Sequence, residues 1–115
     1  MLRSMFTVAS LAASLPALAQ MYPDFPEARL KAGREVWLGT CRLCHAEPAS
    51  GAPQIADKAA WASRLGKGRE ALYRSALNGL VGPKGTEMPA RGGNLSLSDA
   101  QIRTAVDYMT TAASR

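Results

Sequence analysis

Both cysteines and the single histidine of this chain lie within one run of five residues, at Cys41, Cys44 and His45. Thiols bind metal ions, exchange disulfides and attach cofactors, and imidazoles bind metal ions. A structural zinc ion needs four ligands, and these residues supply two thiolates and one imidazole. Cys44 and His45 are also adjacent in the chain, so they would converge on one tetrahedral ion with difficulty. The pattern therefore argues against a zinc site.

Dithiol exchange is a second chemistry open to Cys41 and Cys44. A redox-active Cys-x-x-Cys pair normally begins a helix that follows a strand. Here the pair follows a predicted helix, and no segment shows the period-two alternation of a strand. As a disulfide the pair would close a very short loop, which stabilises a fold little. A thioredoxin-like pair and a structural disulfide are therefore both disfavoured.

Covalent haem attachment through Cys-x-x-Cys-His is the third chemistry. On a helical turn the positions i, i+3 and i+4 share one face, which brings Cys41, Cys44 and His45 to the same side. The two sulfurs can then reach the two vinyl groups along one haem edge, and the imidazole lies under the iron. The setting adds weight to a short pattern, because the chain has no other cysteine or histidine. The sequence thus predicts one haem c bound through Cys41 and Cys44.

The second axial ligand must be another residue type, and the thioether candidates after the leader are Met21, Met88 and Met109. Met21 lies near the expected new N-terminus, where order is uncommon. Met109 falls on the apolar face of a predicted helix, where packing is the usual role. Met88 lies in a Gly- and Pro-rich loop and is followed by Pro89, which stiffens the backbone. We therefore expect His45 and Met88 to bind the iron, an arrangement that favours electron transfer over catalysis.

Four helical segments are expected to position these side chains. Apolar residues recur at helical spacing in each segment, and a capping box of Ser98 and Gln101 marks the start of the last helix. Asp57 is a plausible N-cap for the second helix. The predicted helices are Pro26 to Thr40, Lys58 to Leu65, Arg69 to Asn78, and a last one beginning at Ser98. The long stretch Gly79 to Asn94 is a predicted loop, because its glycines and prolines cannot continue a helix.

The first nineteen residues read as a secretory signal rather than as part of the domain. Arg3 precedes a mostly apolar run, and Ala17 to Ala19 offers the small residues that a signal peptidase inspects. The alternative is a retained anchor, but the apolar run is shorter than the roughly 20 residues of a spanning helix. We therefore expect a cleaved leader over 1–19 and a mature domain over 20–115 in the periplasm, without a membrane span.

The formal net charge of +5 is scattered along the chain. It indicates a solvated surface, or a cationic face that steers toward an acidic partner. Basic residues form no patch interleaved with aromatic residues, so a nucleic-acid partner is not expected. No serine, acid pair or second histidine builds a hydrolytic site, so an enzyme is not expected either.

Four stretches together resemble the short bacterial monohaem class I cytochromes c, particularly the cytochrome c-five-like group. These are KAGREVWLGTCRLCH, GAPQIADKAAWASRL, ALYRSALNGLVG and MPARGGNLSLSDAQIRTAVDYM. The resemblance covers about Gly33 to Met109 and implies an all-α, small cytochrome c fold of about four helices wrapped around one covalently attached haem. It also implies that the first and last helices cross, with Gly33 and Trp37 against Tyr108. The chain lacks the second cysteine pair that members of this group often carry.

The resemblance also assigns residues to the haem. These are two thioether cysteines, two axial ligands and three neighbours: Cys41, Cys44, His45, Met88, Pro53, Trp61 and Arg64. Pro53 is expected to place its carbonyl on the free imidazole nitrogen of His45, which would fix the ring. Trp61 and Arg64 are expected near a haem propionate, with plain core packing as the alternative for Trp61. Ile55, Leu72 and Leu80 are expected to line the pocket.

The function that these inferences favour is a diffusible, periplasmic one-electron carrier that docks transiently with redox partner proteins. One alternative is a cytochrome subunit bound permanently to a dehydrogenase or an oxidase. A less favoured alternative is an open-site haem sensor or peroxidase, which requires that Met88 leave the iron free. The donor, the acceptor, the reduction potential and the oligomeric state do not follow from the sequence.

Overall fold

The computed structural model describes residues 22–82, 85 and 87–115. The predicted leader and Met21 lie outside these residues. The elements in chain order are α1 (Ala28–Val36), a π-helical turn (Trp37–Cys41), α2 (Arg42–His45), a 3-10 turn (Pro48–Ser50), α3 (Lys58–Leu65), α4 (Arg69–Asn78), β1 (Leu80–Val81), β2 (Glu87–Met88), a second 3-10 turn (Ala90–Gly93) and α5 (Asp99–Ala113). The predicted all-α class is confirmed.

The helix that leads into the cysteines runs without a break from α1 through the π-helical turn into α2. The sequence predicted that it ends at Thr40, whereas helical backbone continues to His45. The wider turn accommodates one extra residue per hydrogen-bonded ring, and such turns occur frequently at functional sites. Helical backbone consequently carries all three residues of the cysteine and histidine motif.

The helices α1 and α5 cross in close contact at Gly33. A Cβ atom built on Gly33 would lie 2.0 Å from the carbonyl oxygen of Thr104, so only glycine allows this approach. Trp37 and Tyr108 are fully buried beside it, with ring centroids 6.4 Å apart. The expected meeting of Gly33 and Trp37 with Tyr108 is therefore confirmed. The Nε1 atom of Trp37 has no hydrogen-bond acceptor among the described residues.

A buried carboxylate joins α5 to α1 and α4. Asp107 is 4% exposed, and it accepts hydrogen bonds from the Tyr73 hydroxyl and, at 2.8 Å, from Nη1 of Arg29. Burial and the bond to Asp107 raise the pKa of Tyr73 above its ordinary value. Because a buried charge is tolerated only with partners, this cluster fixes the relative positions of the three helices.

The caps of the shorter helices follow the sequence closely. The Asp57 carboxylate accepts a hydrogen bond from the Ala60 amide at the start of α3, and Ser98 and Gln101 form the predicted capping box at the start of α5. The predicted loop after α4 contains a small antiparallel ladder, in which Leu80 pairs with Met88. Each strand has only two residues, too few for an alternating pattern to register in the sequence.

In the part of the chain that the structure describes, no helix combines the length and the apolar character needed to cross a bilayer.

Candidate functional site

The π-helical turn and α2 bring the cysteine and histidine side chains to one wall of a cavity. Cys41 is half-buried, Cys44 is exposed, and His45 is 7% exposed. Burial raises the pKa of the Cys41 thiol to about 11, so the thiol is protonated at neutral pH. Burial also lowers the pKa of His45. The imidazole is therefore held in its neutral form, which is the form that binds a metal ion.

A hydrogen bond to the loop after α2 orients the His45 ring. The Nδ1 atom lies 2.8 Å from the carbonyl oxygen of Pro53. A carbonyl can only accept, so Nδ1 carries the proton and donates it. The lone pair of the neutral ring is consequently on Nε2. The ring centroid of Trp61 lies 5.9 Å from that of His45, which closes one side of the imidazole.

Gln54 holds this loop in place, a role for which the sequence carries no signal. Its side-chain amide nitrogen lies 3.0 Å from the carbonyl oxygens of Cys44, Glu47 and Ala52. The backbone carbonyl of Gln54 accepts a 2.9 Å hydrogen bond from the Trp61 indole. These bonds tie both sides of the loop to α2 and α3. Gln54 therefore supports the neighbouring carbonyl of Pro53 in its contact with His45.

The cavity has a volume of about 210 Å³ and a largely apolar lining. All seven residues that the sequence singled out line it: Cys41, Cys44, His45, Pro53, Trp61, Arg64 and Met88. Leu72 and Leu80 line it as expected. Ile55 instead packs in the core beside Trp37 and Trp61. Its amide donates to the carbonyl oxygen of His45 at 2.8 Å, so it supports the histidine from behind.

Two hydrophobic clusters border this cavity. The first cluster comprises Trp37, Ile55, Trp61, Tyr108, Met109 and Ala113. The second cluster comprises Tyr73, Ala76, Ile102 and Val106, with Met88 packed against it. Because members of both clusters line the cavity, it lies between them. His45 contacts the first cluster through Trp61, whereas Met88 belongs with the second.

Met88 is held at the cavity by its backbone on both sides. Its strand pairs with Leu80, and the 3-10 turn Ala90–Gly93 follows directly after Pro89. Arg91 in this turn has a φ of 56°, a rare conformation for a residue other than glycine. Its guanidinium donates to the Leu97 carbonyl at 2.9 Å and pairs with Asp99 at 2.5 Å. This pairing attaches the turn to the start of α5, and no local pattern in the sequence indicates it.

The Met88 segment is also attached to the helix on the histidine side. The Asn94 side chain lies 3.3 Å from the Thr40 hydroxyl. Thr40, one residue before Cys41, lines the same cavity. The two walls are therefore linked across one edge. A polar pair separated by 54 residues leaves no local pattern in the sequence.

Three cationic side chains line the cavity: Arg64 of α3, Lys67 in the turn after α3, and Arg91 of the second 3-10 turn. Arg64 donates to the carbonyl of Ala60 at 2.5 Å and lies close enough to His45 to help lower the pKa of the imidazole. The Trp61 indole already donates to Gln54, so contact between Trp61 or Arg64 and a propionate stays a prediction. Among the described residues, no group of three or more His, Cys, Asp or Glu side chains could hold a metal ion.

Comparisons with known proteins identify relatives of the chain. Residues 28–109 match the family described as cytochrome c oxidase, cbb3-type, subunit III. Cytochrome c-555 of Chlorobaculum tepidum is 45% identical over 78 residues, which are 68% of this chain and 71% of the relative. Cytochrome c5 of Ectopseudomonas mendocina is 32% identical over 72 residues, covering 61% of this chain and 77% of the relative.

A solved structure is also similar. It belongs to an electron transfer complex of nitrite reductase with cytochrome c. The TM-score is 0.62 and the sequence identity 40%, over 71% of this chain and 94% of the solved chain. The names of these relatives agree with the family that the sequence motifs resemble.

Proposed function

The chain belongs to the cytochrome c family, and from that premise we propose that it is a one-electron carrier with a single haem c. In this proposal Cys41 and Cys44 form the thioether bonds, and His45 and Met88 are the axial ligands. The observation that carries the proposal is the convergence of these four residues on one apolar-lined cavity.

The donor set fits a haem iron. His45 is neutral and presents Nε2, because the Pro53 carbonyl accepts a hydrogen bond from Nδ1–H. Histidine with methionine is the ligand pair of electron-transfer cytochromes c. The half-buried Cys41 and the exposed Cys44 lie on the same helical stretch as His45. The two attachment cysteines and the histidine ligand therefore share one continuous helical stretch.

Met88 is a better candidate than Met109 for the second ligand, although both side chains line the cavity. Met109 belongs to the first cluster together with Trp61, which is the side of His45. Met88 packs against the second cluster across the cavity. Axial ligands approach an iron from opposite faces, so the cluster to which each methionine belongs favours Met88.

When bound, the haem supplies an iron that changes between the Fe(II) and Fe(III) states. The protein residues hold the ligands and exclude water. Pro53 and Gln54 fix the His45 ring, the ladder with Leu80 holds Met88, and both clusters surround the cavity with apolar side chains. If His45 and Met88 both hold the iron, no position on it would be left for a substrate. This arrangement favours a carrier over an enzyme.

Electron exchange is proposed to occur at the exposed end of the cysteine motif. Cys44 is exposed, and the neighbouring Leu43 is 64% exposed although it is apolar. A small apolar surface of this kind suits brief docking with a redox partner protein. The structural neighbour from a complex with nitrite reductase supports a partner of that class. The pattern of residues 1–19 is typical of a secretory leader, and we propose that the chain is exported and receives its haem in the periplasm.

One experiment tests the cofactor, its covalent bonds and the leader together. The chain is produced for export in a host with a c-type maturation system, and intact mass and the pyridine haemochrome spectrum are measured. We expect a mass of residues 20–115 plus one haem, and a spectrum typical of two thioether bonds. Single Cys41→Ser and Cys44→Ser variants should each shift the spectrum toward one thioether. A colourless product whose two thiols still react with an alkylating reagent contradicts the proposal.

A bound subunit is the second candidate, and the matching family description favours it, because that description names a subunit of an oxidase. Such a subunit would use the same cavity and ligands. Size-exclusion chromatography of native extract separates the two possibilities. Elution at the mass of the mature chain supports the free carrier, whereas co-elution with a dehydrogenase or an oxidase supports the subunit.

A further inference from the structure

Gly79, the first residue after α4, has a φ of 84° and a ψ of 166°. This backbone region is accessible essentially to glycine alone. A Cβ atom built on Gly79 would lie 2.9 Å from the carbonyl oxygen of Met88 and 3.0 Å from the amide nitrogen of Ala90. Both of these atoms belong to the backbone, so no side-chain rotation relieves the contact. Gly79 thus allows the backbone around Met88 to lie directly against the end of α4.

The end of α4 and the Met88 strand form one continuous backbone unit. The Gly79 amide donates to the Ser75 carbonyl at 2.9 Å and closes the helix. The next residue, Leu80, pairs with Met88 in the ladder. Tyr73 and Ala76 bury the inner face of α4 in the second cluster. The buried helix α4 therefore helps to fix the position of Met88, because Gly79 connects α4 directly to the strand that pairs with Met88.

We propose that Gly79 is a positioning residue for the distal ligand. Its missing side chain sets how closely the Met88 backbone approaches α4, and hence whether the thioether reaches the iron. This inference rests on the proposed function, in which Met88 is that ligand. A methyl group at position 79 must push the Met88 carbonyl away, because the alternative is overlap with two backbone atoms.

Gly68 provides a matched control at the other end of α4. Its φ of 88° and ψ of 155° place it in the same backbone region, but a Cβ atom there meets nothing within 4 Å. Gly68→Ala and Gly79→Ala therefore carry the same backbone strain. Only the substitution at Gly79 presses on Met88. Backbone strain by itself would affect both variants alike.

The test compares oxidised holoprotein of the two variants and the wild type. The readouts are the absorption band from sulfur-to-ferric-iron charge transfer and the affinity for added imidazole. We expect Gly79→Ala to weaken the band and to bind imidazole more tightly, while Gly68→Ala matches the wild type in both. Equal bands and equal affinities in the two variants overturn the positioning role.

Met88→Ala separates this inference from the proposed function. A band that survives in Met88→Ala shows that the ligand itself is wrongly assigned. If the band is lost in Met88→Ala but is equally strong in the two glycine variants, the positioning role of Gly79 is rejected and the assignment of Met88 as ligand stands.

If Gly79→Ala yields no holoprotein, the wild type provides the test. In mild urea, we expect the band to disappear together with hydrogen-exchange protection of the Leu80–Met88 ladder. Loss of the band while the ladder stays protected overturns the inference.

Discussion

The chemistry of His45 depends on contacts made by other single residues. Pro53 supplies the carbonyl that selects the tautomer, and Gln54 bonds to the carbonyls around it. An imidazole held in this way loses little freedom when it binds a metal ion, because its orientation is already set. Among the described residues, Met88 is held instead by the pairing of its strand with Leu80 and by packing against the second cluster. The two proposed ligands are therefore supported by different means.

We predict that Met88→Ala abolishes the sulfur-to-iron charge-transfer band and lowers the reduction potential, because thioether ligation raises it. Absorption spectroscopy of the oxidised protein and a redox titration measure both effects. Met109→Leu is the matched control, since it replaces the other methionine at the cavity with an apolar side chain of similar size. It should retain the band. The ligand assignment is wrong if the two variants behave in the opposite way.

Helix crossings and shared side-chain clusters hold the elements in place. Gly33 allows α1 to lie against α5 at the Thr104 carbonyl. Tyr73 connects α4 to the same last helix, because its hydroxyl donates a hydrogen bond to the buried Asp107 of α5. The helix that carries the cysteines and the helices that line the cavity are joined through α5. The geometry of the site therefore depends on these helix contacts.

Gly33→Ala should lower the free energy of unfolding by about 3 kcal/mol or more, the upper end of overpacking costs, because a backbone oxygen cannot move aside. Urea denaturation of the holoprotein measures the change. Gly39→Ala is the control, since a Cβ atom there meets nothing within 4 Å. It should leave stability unchanged or raise it by up to about 1 kcal/mol. Similar stability of the two variants would contradict the close crossing.

Tyr73→Phe should lower the free energy of unfolding by about 1–3 kcal/mol, because the buried Asp107 loses a hydrogen-bond donor. Arg103→Gln is a suitable control. It removes the guanidinium that lies 5.1 Å from the centroid of the same ring, and it leaves the bond to Asp107 intact. Thermal unfolding followed by circular dichroism should show an effect of at most about 1 kcal/mol for the control. If both variants unfold like the wild type, the Asp107 cluster does not stabilise the fold.

The whole molecule is built as two hydrophobic clusters around a cavity. A cavity of about 210 Å³ is lined by members of both clusters. Covering an apolar lining stabilises a fold by roughly 25 cal/mol per Å² removed from water. The total stability of a small domain is only about 5–15 kcal/mol. In the proposed holoprotein, a haem that covers the apolar lining of the cavity therefore adds to the stability of the fold.

Apoprotein produced without a maturation system should retain helical far-ultraviolet circular dichroism but lose the near-ultraviolet signal of fixed aromatic packing. Its thermal transition should also be broader and lower than that of the holoprotein. Both proteins are compared at the same pH and concentration. An apoprotein with a native near-ultraviolet spectrum and an equally high transition would mean that the clusters hold together unaided.

The sequence alone determined the features that depend on neighbours in the chain. The helical spacing of Cys41, Cys44 and His45, the capping box at Ser98 and the stop at Gly79 are local patterns, because hydrogen bonds and side-chain faces within a helix repeat every few residues. The resemblance to a known family added the crossing at Gly33 and the Pro53 contact. Both are contacts between different segments, and no local pattern in the sequence indicates them.

Only the tertiary structure decided the features that join distant segments. The Asp107 cluster, the link between Thr40 and Asn94, and the close approach of Gly79 to Met88 each join residues from different elements. Asp107 even occupies a helix position where a charge would be expected to face water. Such contacts depend on how whole elements pack, because a partner far along the chain leaves no spacing or periodicity at either end.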